Sequence, residues 1–314
     1  MTRIFIFPGQ GSQKIGMGKE LADAFSSARE VFQEVDDALS QKLSKIMWEG
    51  PESDLVLTEN AQPAIMAASL AVVRILEKEM GLDVARHAHL VAGHSLGEYS
   101  ALCAAGAFSL ADTARLLKTR GQAMQSAVPV GEGGMTALIG AEIEQAEEVA
   151  KEAAAAGGTC VVANDNAPGQ VVISGTLDAL ARVPDIAKAK GIKRALPLAV
   201  SAPFHCPLMQ PAADKMAQAL AAVTIRPLVV PVLANVTAKE ANNPDHVRQL
   251  LVEQVTGRVR WRESILSLQS LKVDTTVEFG GSKVLSGMVK RIDPSLQMIT
   301  LDTPADLEAF GKAL

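Results

Sequence analysis

The chain predicts an α/β fold in which a larger subdomain carries a smaller inserted β-α-β-β-α-β unit. The apolar tetrad Ile4–Phe7 reads as a buried strand and runs straight into the turn-rich Pro8-Gly9-Gln10-Gly11-Ser12-Gln13. A second apolar run, Leu90–Ala92, ends in Gly93-His94-Ser95-Leu96-Gly97 and continues at once as helix-compatible residues from Glu98 to Ala105. That is the G-x-S-x-G spacing of a nucleophile elbow, a tight strand-to-helix turn in which flanking glycines leave room for a strained serine. From Met135 to Ala199 the elements follow in the order of a ferredoxin-like unit.

Along the larger subdomain, Glu20 to Leu39 reads as one helix with Leu21, Phe25, Val31, Phe32 and Val35 inward, and Gly50-Pro51 breaks the next segment. Asn60-Ala61-Gln62-Pro63 introduces an apolar helix from Ala64 to Met80. Beyond the elbow, Ser109 and Asp112 form a capping box for a helix that runs to about Ser126, and Pro129 closes it. The inserted unit is then read as strand Met135–Gly140, helix Glu142–Ala156, strands Cys160–Ala163 and Gln170–Ser174, helix Leu177–Lys190 and strand Lys193–Ala199. This assigns 130–199 to the small subdomain and 1–129 with 200–314 to the large one. A turn at Ser201–Cys206 leads into helix to Ala222. Val229–Leu233 is a strand that Pro231 marks as an edge or irregular one. Helices follow at Asp245–Gln254 and Trp261–Leu271, then strand Thr276–Phe279, the Gly-rich turn Gly280–Lys283 and helix Val284–Lys290.

Bulk properties narrow the function classes. With 314 residues, 48% apolar and 21% charged, the chain has an ordinary globular composition and length for a large core. A formal net charge of -5 argues against bulk nucleic-acid binding while leaving local basic patches open. Cys103, Cys160 and Cys206 are too scattered for a disulfide framework or a thiolate metal site, so a reducing compartment, the cytoplasm, is expected. No apolar stretch approaches the roughly 18 residues of a membrane span. The N-terminus reads as a first strand and not as a signal peptide.

A serine at an elbow needs a base, and the chain has five histidines. His94 leaves the tight turn in another direction and buttresses it; His87 and His89 precede the strand. His205, in a Pro-marked loop after the inserted unit, is the candidate base, with a structural histidine as the competing reading. No Asp or Glu is placed to complete a triad, which points to a Ser-His dyad whose imidazole is oriented by a backbone or amide acceptor. Arg120 reads either as a carboxylate clamp or as a solvated surface arginine. Gln10 and Gln254 are candidate amide donors, and Lys283 is either an anion contact or a surface lysine.

Taken together, several stretches resemble one family. FPGQGSQ (Phe7–Gln13), Gln62-Pro63, GHSLGEYSAL (Gly93–Leu102), Arg120-Gly121 with Met124, GGMTALIG (Gly133–Gly140) and NDNAPGQVVISG (Asn164–Gly175) come in order. Phe204-His205, Asn235-Val236, Gln254, Val259-Arg260-Trp261 and EFGGSKVLSGMVKRI (Glu278–Ile292) follow. The chain resembles the bacterial malonyl-CoA:acyl-carrier-protein transacylases of type II fatty acid synthesis, relatives of the acyltransferase domains of polyketide and animal-type fatty acid synthases.

That resemblance implies an α/β-hydrolase-like large subdomain beside the ferredoxin-like one, and a ping-pong transfer of malonyl from malonyl-CoA to the phosphopantetheine thiol of an acyl carrier protein. It implies Ser95 as the acylated nucleophile, His205 as base, backbone N–H groups of Gln10 and Leu96 as oxyanion hole, and Arg120 as partner of the malonyl carboxylate. Gln254 is implied as a pocket residue, with a backbone carbonyl near it orienting His205. Asn164 is implied near the acyl-thioester groove, and Phe204 as a filter against methylmalonyl. No metal and no permanently bound cofactor are expected, and the chain is expected to act as a discrete monomer. Lys193, Arg194, Arg258, Arg260, Arg262, Lys290 and Arg291 are candidate contacts for an acidic carrier. The competing readings are methylmalonyl transfer or a polyketide carrier on the same fold, a simple serine hydrolase, and a non-catalytic carrier-binding protein.

Overall fold

The computed structural model describes residues 1–200, 202–280 and 283–314. Ser201, which opens the turn before His205, and Gly281-Ser282 of the Gly-rich turn lie outside the described residues.

Among the described residues the strands are β1 (Arg3–Phe7), β2 (Leu90–Gly93), β3 (Gly133–Ile139), β4 (Cys160–Ala167), β5 (Gln170–Thr176), β6 (Arg194–Pro197), β7 (Val232–Ala234), β8 (Lys239–Ala241), β9 (Thr275–Phe279) and β10 (Gln297–Leu301). They form a six-stranded sheet in the order β10-β9-β1-β2-β7-β8 and a four-stranded sheet in the order β4-β5-β3-β6. The larger sheet is parallel except for the β7–β8 hairpin, and the smaller one is antiparallel throughout.

The continuous apolar run Ile4–Phe7 is explained by burial on both faces of a central strand. Phe5 and Phe7 join the main core beneath helix Thr58–Glu79, whereas Ile4 and Ile6 join a second core with Trp261, Ile265 and Leu285. The small sheet is also covered twice. One face packs Leu138, Val171 and Ile173 against helices Ile143–Ala155 and Leu177–Ala189. From the other, Met135, Ala137, Ala163 and Val172 join the main core, so the ferredoxin-like unit lies against the large subdomain.

The expected helix from Glu20 to Leu39 is two helices, Lys19–Ala24 and Ser26–Leu39, separated by an extended Phe25 at φ -125°. Ser26 and Ser27 favour beginning a helix over continuing one. The helix expected from Ala64 starts at Thr58 and accommodates Pro63 inside. The strand expected at Val229–Leu233 is Val232–Ala234, interior between β2 and β8; Pro231 stands before it and offers only its carbonyl, to Val91 N–H at 3.0 Å. β4 runs on to Ala167, past the expected Ala163, because Asn164 and Asp165 keep pairing with β5 through register shifts. Helices Leu43–Glu49 and Glu52–Leu55, strands β8 and β10, and helix Pro304–Gly311 had no expectation; they are short or half-exposed, and their apolar pattern is weak. No helix among the described residues is long and apolar enough to cross a membrane.

Candidate active site

β1 and β2 pair in parallel with Phe7 opposite Gly93, so the loop after β1 and the elbow after β2 leave the sheet side by side at its carboxyl edge. The elbow is tight. A Cβ on Gly93 would lie 1.9 Å from the carbonyl of Gly97, and one on Gly97 would lie 2.2 Å from the Phe7 carbonyl oxygen. Ser95 takes φ 53°, a left-handed conformation that is strained for a residue with a side chain. Its N–H is held by Asn235 Oδ1 at 2.7 Å, just past β7, and its carbonyl accepts from Gln254 Nε2 at 3.0 Å. Helix Gly97–Ala104 starts directly behind it.

His205 also has positive φ, 57°, and lies before a short turn of 3-10 helix at Pro207–Met209. Its Nε2 is 2.7 Å from Ser95 Oγ and its Nδ1 is 2.8 Å from the Gln254 carbonyl. A carbonyl only accepts, so Nδ1 carries the hydrogen and Nε2 is left to receive the serine proton. Burial, then the Arg120 charge, pushes the His205 imidazole down to about 3, so it is neutral when the serine must be deprotonated.

Arg120, on helix Leu110–Ser126, is 1% exposed. Nη1 donates to Gln62 Oε1 at 2.8 Å, and Nη2 donates to Gln254 Oε1 at 2.8 Å and to Ser95 Oγ at 3.1 Å. None of the ion pairs among the described residues includes it. Among the described residues this buried guanidinium meets amide oxygens, a hydroxyl and the Tyr99 ring at 5.7 Å without an ion-pair partner, which leaves it with the chemistry to receive a carboxylate. Glu98 is close but reaches it through Gln254, accepting from Gln254 Nε2 at 2.7 Å. Burial raises the Glu98 carboxyl to about 7 against the opposing effects of Gln254, Asn235 and Arg120.

A cavity of about 500 Å³ opens over Ser95. Gln10, Leu96, Phe204 and Asn164 line it, as do Met135 and Val172 from the small sheet and Met288 from helix Val284–Ile292. The large subdomain supplies Ser95 and Arg120, and the small one supplies a wall. Among sequence-expected residues, Ser95, His205, Arg120 and Gln254 thus meet in one hydrogen-bonded cluster, while Gln10, Leu96, Phe204 and Asn164 surround it. His94 points away from the nucleophile, its Nε2 2.8 Å from Asn166 Oδ1 and its ring beside Trp261. His87 caps a turn with Asp83. Lys283 precedes helix Val284–Ile292 at φ 62° and bears electrostatically on Asp306.

Gln62, Glu98, Asn166 and Asn235 had no assigned role in the sequence. Their signal was the placement of a buried polar side chain in or beside an apolar segment, as with Glu98 in LGEYSAL. The basic carrier candidates divide. Arg258 pairs with Glu147 at 2.8 Å, Arg262 with Glu142 at 2.7 Å and Arg260 with Glu263 at 3.0 Å. Arg291 is bonded to Gln170 and to the Pro168 carbonyl, whereas Lys193, Arg194 and Lys290 form no ion pair among the described residues. The first and second of these pairs, with Arg291, tie the subdomains together.

Residues 4–291 match the family described as acyl transferase domain. A malonyl CoA-acyl carrier protein transacylase of Bacillus subtilis is 44% identical over 309 residues, spanning 98% of this chain and 96% of the relative. The crystal structure of an acyl-carrier-protein-S-malonyltransferase from Bartonella henselae superposes with a TM-score of 0.97 at 53% identity, covering 100% of this chain and 99% of that one. A malonyl-transacylase in complex with a type II PKS acyl-carrier protein superposes with a TM-score of 0.95 at 40% identity, covering 100% of both chains.

Proposed function

The chain belongs to the bacterial malonyl-CoA:acyl-carrier-protein transacylases, and from that premise we propose how its own residues carry out the transfer. The enzyme moves malonyl from malonyl-CoA to the phosphopantetheine thiol of acyl carrier protein through an acyl-serine, in fatty acid biosynthesis. The observation that supports this assignment of residues is the cluster in which one hydroxyl, Ser95 Oγ, meets both His205 Nε2 and Arg120 Nη2.

In the first half-reaction Ser95 Oγ attacks the thioester carbonyl while its proton passes to His205 Nε2. The backbone N–H groups of Gln10 and Leu96 receive the oxyanion. The C–S bond breaks, and the coenzyme A thiolate takes the proton from His205. In the second, His205 Nε2 accepts the proton of the carrier's phosphopantetheine thiol, and the sulfur attacks the malonyl-serine carbonyl. Ser95 Oγ then leaves and recovers the proton. Arg120 binds the malonyl carboxylate with Gln62 and Gln254 holding its fork in place, which favours a dicarboxylic acyl group over acetyl. Phe204 limits width at the acyl α-carbon, and Asn164 lines the thioester approach.

We assign 1–129 with 200–314 to the catalytic subdomain and 130–199 to the one that closes the cavity, and we place the protein in the cytoplasm as a monomer. Intact-mass measurement tests the reading. Malonyl-CoA is expected to leave a malonyl adduct on Ser95 that phosphopantetheinylated carrier removes; an adduct lost mainly to free malonate would identify a hydrolase, and none at all a binding protein.

A further inference from the structure

Glu98 is a buried carboxyl that the transfer steps leave unused. Its Oε2 accepts from Gln254 Nε2 at 2.7 Å and from the Asn235 backbone N–H at 3.3 Å. These two residues hold both peptide groups of Ser95, Asn235 Oδ1 at the N–H and Gln254 Nε2 at the carbonyl. Asn235 Nδ2 also donates to the Gly93 carbonyl at 2.7 Å, on the far side of the elbow. Gln254 presents its remaining oxygens to the other two members of the site, Oε1 to Arg120 and its backbone carbonyl to His205.

We infer that Glu98 is a positioning residue that fixes the amide of Gln254, and through it the Arg120 clamp, by acting as an acceptor that cannot donate. An ionised carboxylate tolerates only an N–H opposite it. Gln254 Nε2 must therefore face Glu98, and its Oε1 must face Arg120, which can only donate. Turned over, the amide would set oxygen against the Glu98 carboxylate and the Ser95 carbonyl and N–H against guanidinium, three repulsive contacts among buried groups, of which the one with the charged carboxylate is the strongest. Once Glu98 holds a proton, its O–H satisfies a Gln254 oxygen as well as its carbonyl satisfies an N–H, so the carboxyl's share of the constraint is lost and only Arg120 and the Ser95 carbonyl still hold the amide. The charged group facing this carboxyl is Arg120; Tyr99, on its own helix, is the other titratable neighbour, and burial holds that phenol up at about 12. Burial holds the Glu98 carboxyl up at about 7, whereas burial and then the Arg120 charge push the His205 imidazole down to about 3.

This inference rests on the transferase reading, and the test separates the two. The rate of Ser95 malonylation by malonyl-CoA is measured from pH 6 to pH 8.5 for the wild type and Glu98→Gln, beside labelling of Ser95 by an uncharged fluorophosphonate. The wild-type malonyl rate is expected to rise through pH 7. Glu98→Gln, whose amide presents either sense, is expected to be flat in pH and about tenfold slower at pH 8, with the loss in KM more than in kcat. Fluorophosphonate labelling, which needs no clamp, is expected to change less than malonylation. A flat wild-type profile, or a Glu98→Gln profile that keeps the wild-type inflection, overturns the inference, and the wild-type measurement needs no variant to fold. Fluorophosphonate labelling without any malonyl adduct in the wild type would instead remove the transferase reading.

Discussion

Arg120 Nη2 donates to Ser95 Oγ at 3.1 Å, so the buried guanidinium proposed as the carboxylate clamp directly touches the hydroxyl proposed as nucleophile. Arg120→Ala is expected to lower malonyl loading by about 10²–10³-fold and to raise acetyl-CoA loading, because the unpaired buried charge that penalises acetyl is gone. Intact-mass rates with the two thioesters check this, and unchanged malonyl selectivity would falsify the clamp.

With His205 as the proposed proton acceptor of both half-reactions, His205→Asn is expected to slow loading and discharge together by about 10²–10⁴-fold. Single-turnover measurement of each half shows whether the two fall in step; a defect confined to one would argue for a second base.

The same histidine has a pH signature in stability. Its imidazole is lowered in the folded state from 6.5 to about 3, chiefly by burial, so the folded protein binds fewer protons than the unfolded one between those values. The contribution is fully present above pH 6.5 and is lost as pH falls toward 3. Denaturant unfolding at pH 7 and pH 4.5 is expected to show the stability of the wild type relative to His205→Asn shrinking on the acid side. A difference that grows on acidification would contradict the burial of a neutral ring.

Gly97 has no room for a side chain, since a Cβ would meet the Phe7 carbonyl oxygen at 2.2 Å. Gly97→Ala is expected to separate the elbow from β1 and to cost roughly 3 kcal/mol or more, the range of severe strain in a packed interior. A lowered thermal midpoint together with lost Ser95 acylation is the expected pair of results. An alanine variant of wild-type stability would show that the strand ends are not locked together.

Phe204 precedes His205 and lines the same cavity as Ser95. Phe204→Ser is expected to improve methylmalonyl-CoA relative to malonyl-CoA by about tenfold, the scale on which a hydrophobic pocket discriminates a methyl group. Competition between the two thioesters, read by adduct mass, measures that ratio directly.

Much of the site was legible where a local pattern forces local geometry. G-x-S-x-G between an apolar strand and a helix fixed Ser95 at an elbow, and the tight Gly93–Gly97 contact bears this out. The β-α-β-β-α-β order gave the small antiparallel sheet. Less was legible where pairing or burial comes from distant chain: β10 is a half-exposed edge strand with no apolar alternation, and Pro231 misdirected the reading of β7 because the ladder begins one residue after it.

The sequence by itself determined the serine at the elbow, the α/β plan with its smaller antiparallel sheet and, through ordered motifs, the family. It did so because a strained turn demands glycine and a buried strand demands a run of apolar side chains. Only the tertiary structure decided that Arg120 is buried and not a surface arginine, and that the Gln254 carbonyl, with no acidic partner, orients His205. Only the folded chain brings Glu98 and Asn235, 137 residues apart, together behind Ser95. Hydrogen bonds between such remote residues leave no periodic trace, since each depends on where whole strands and helices come to rest.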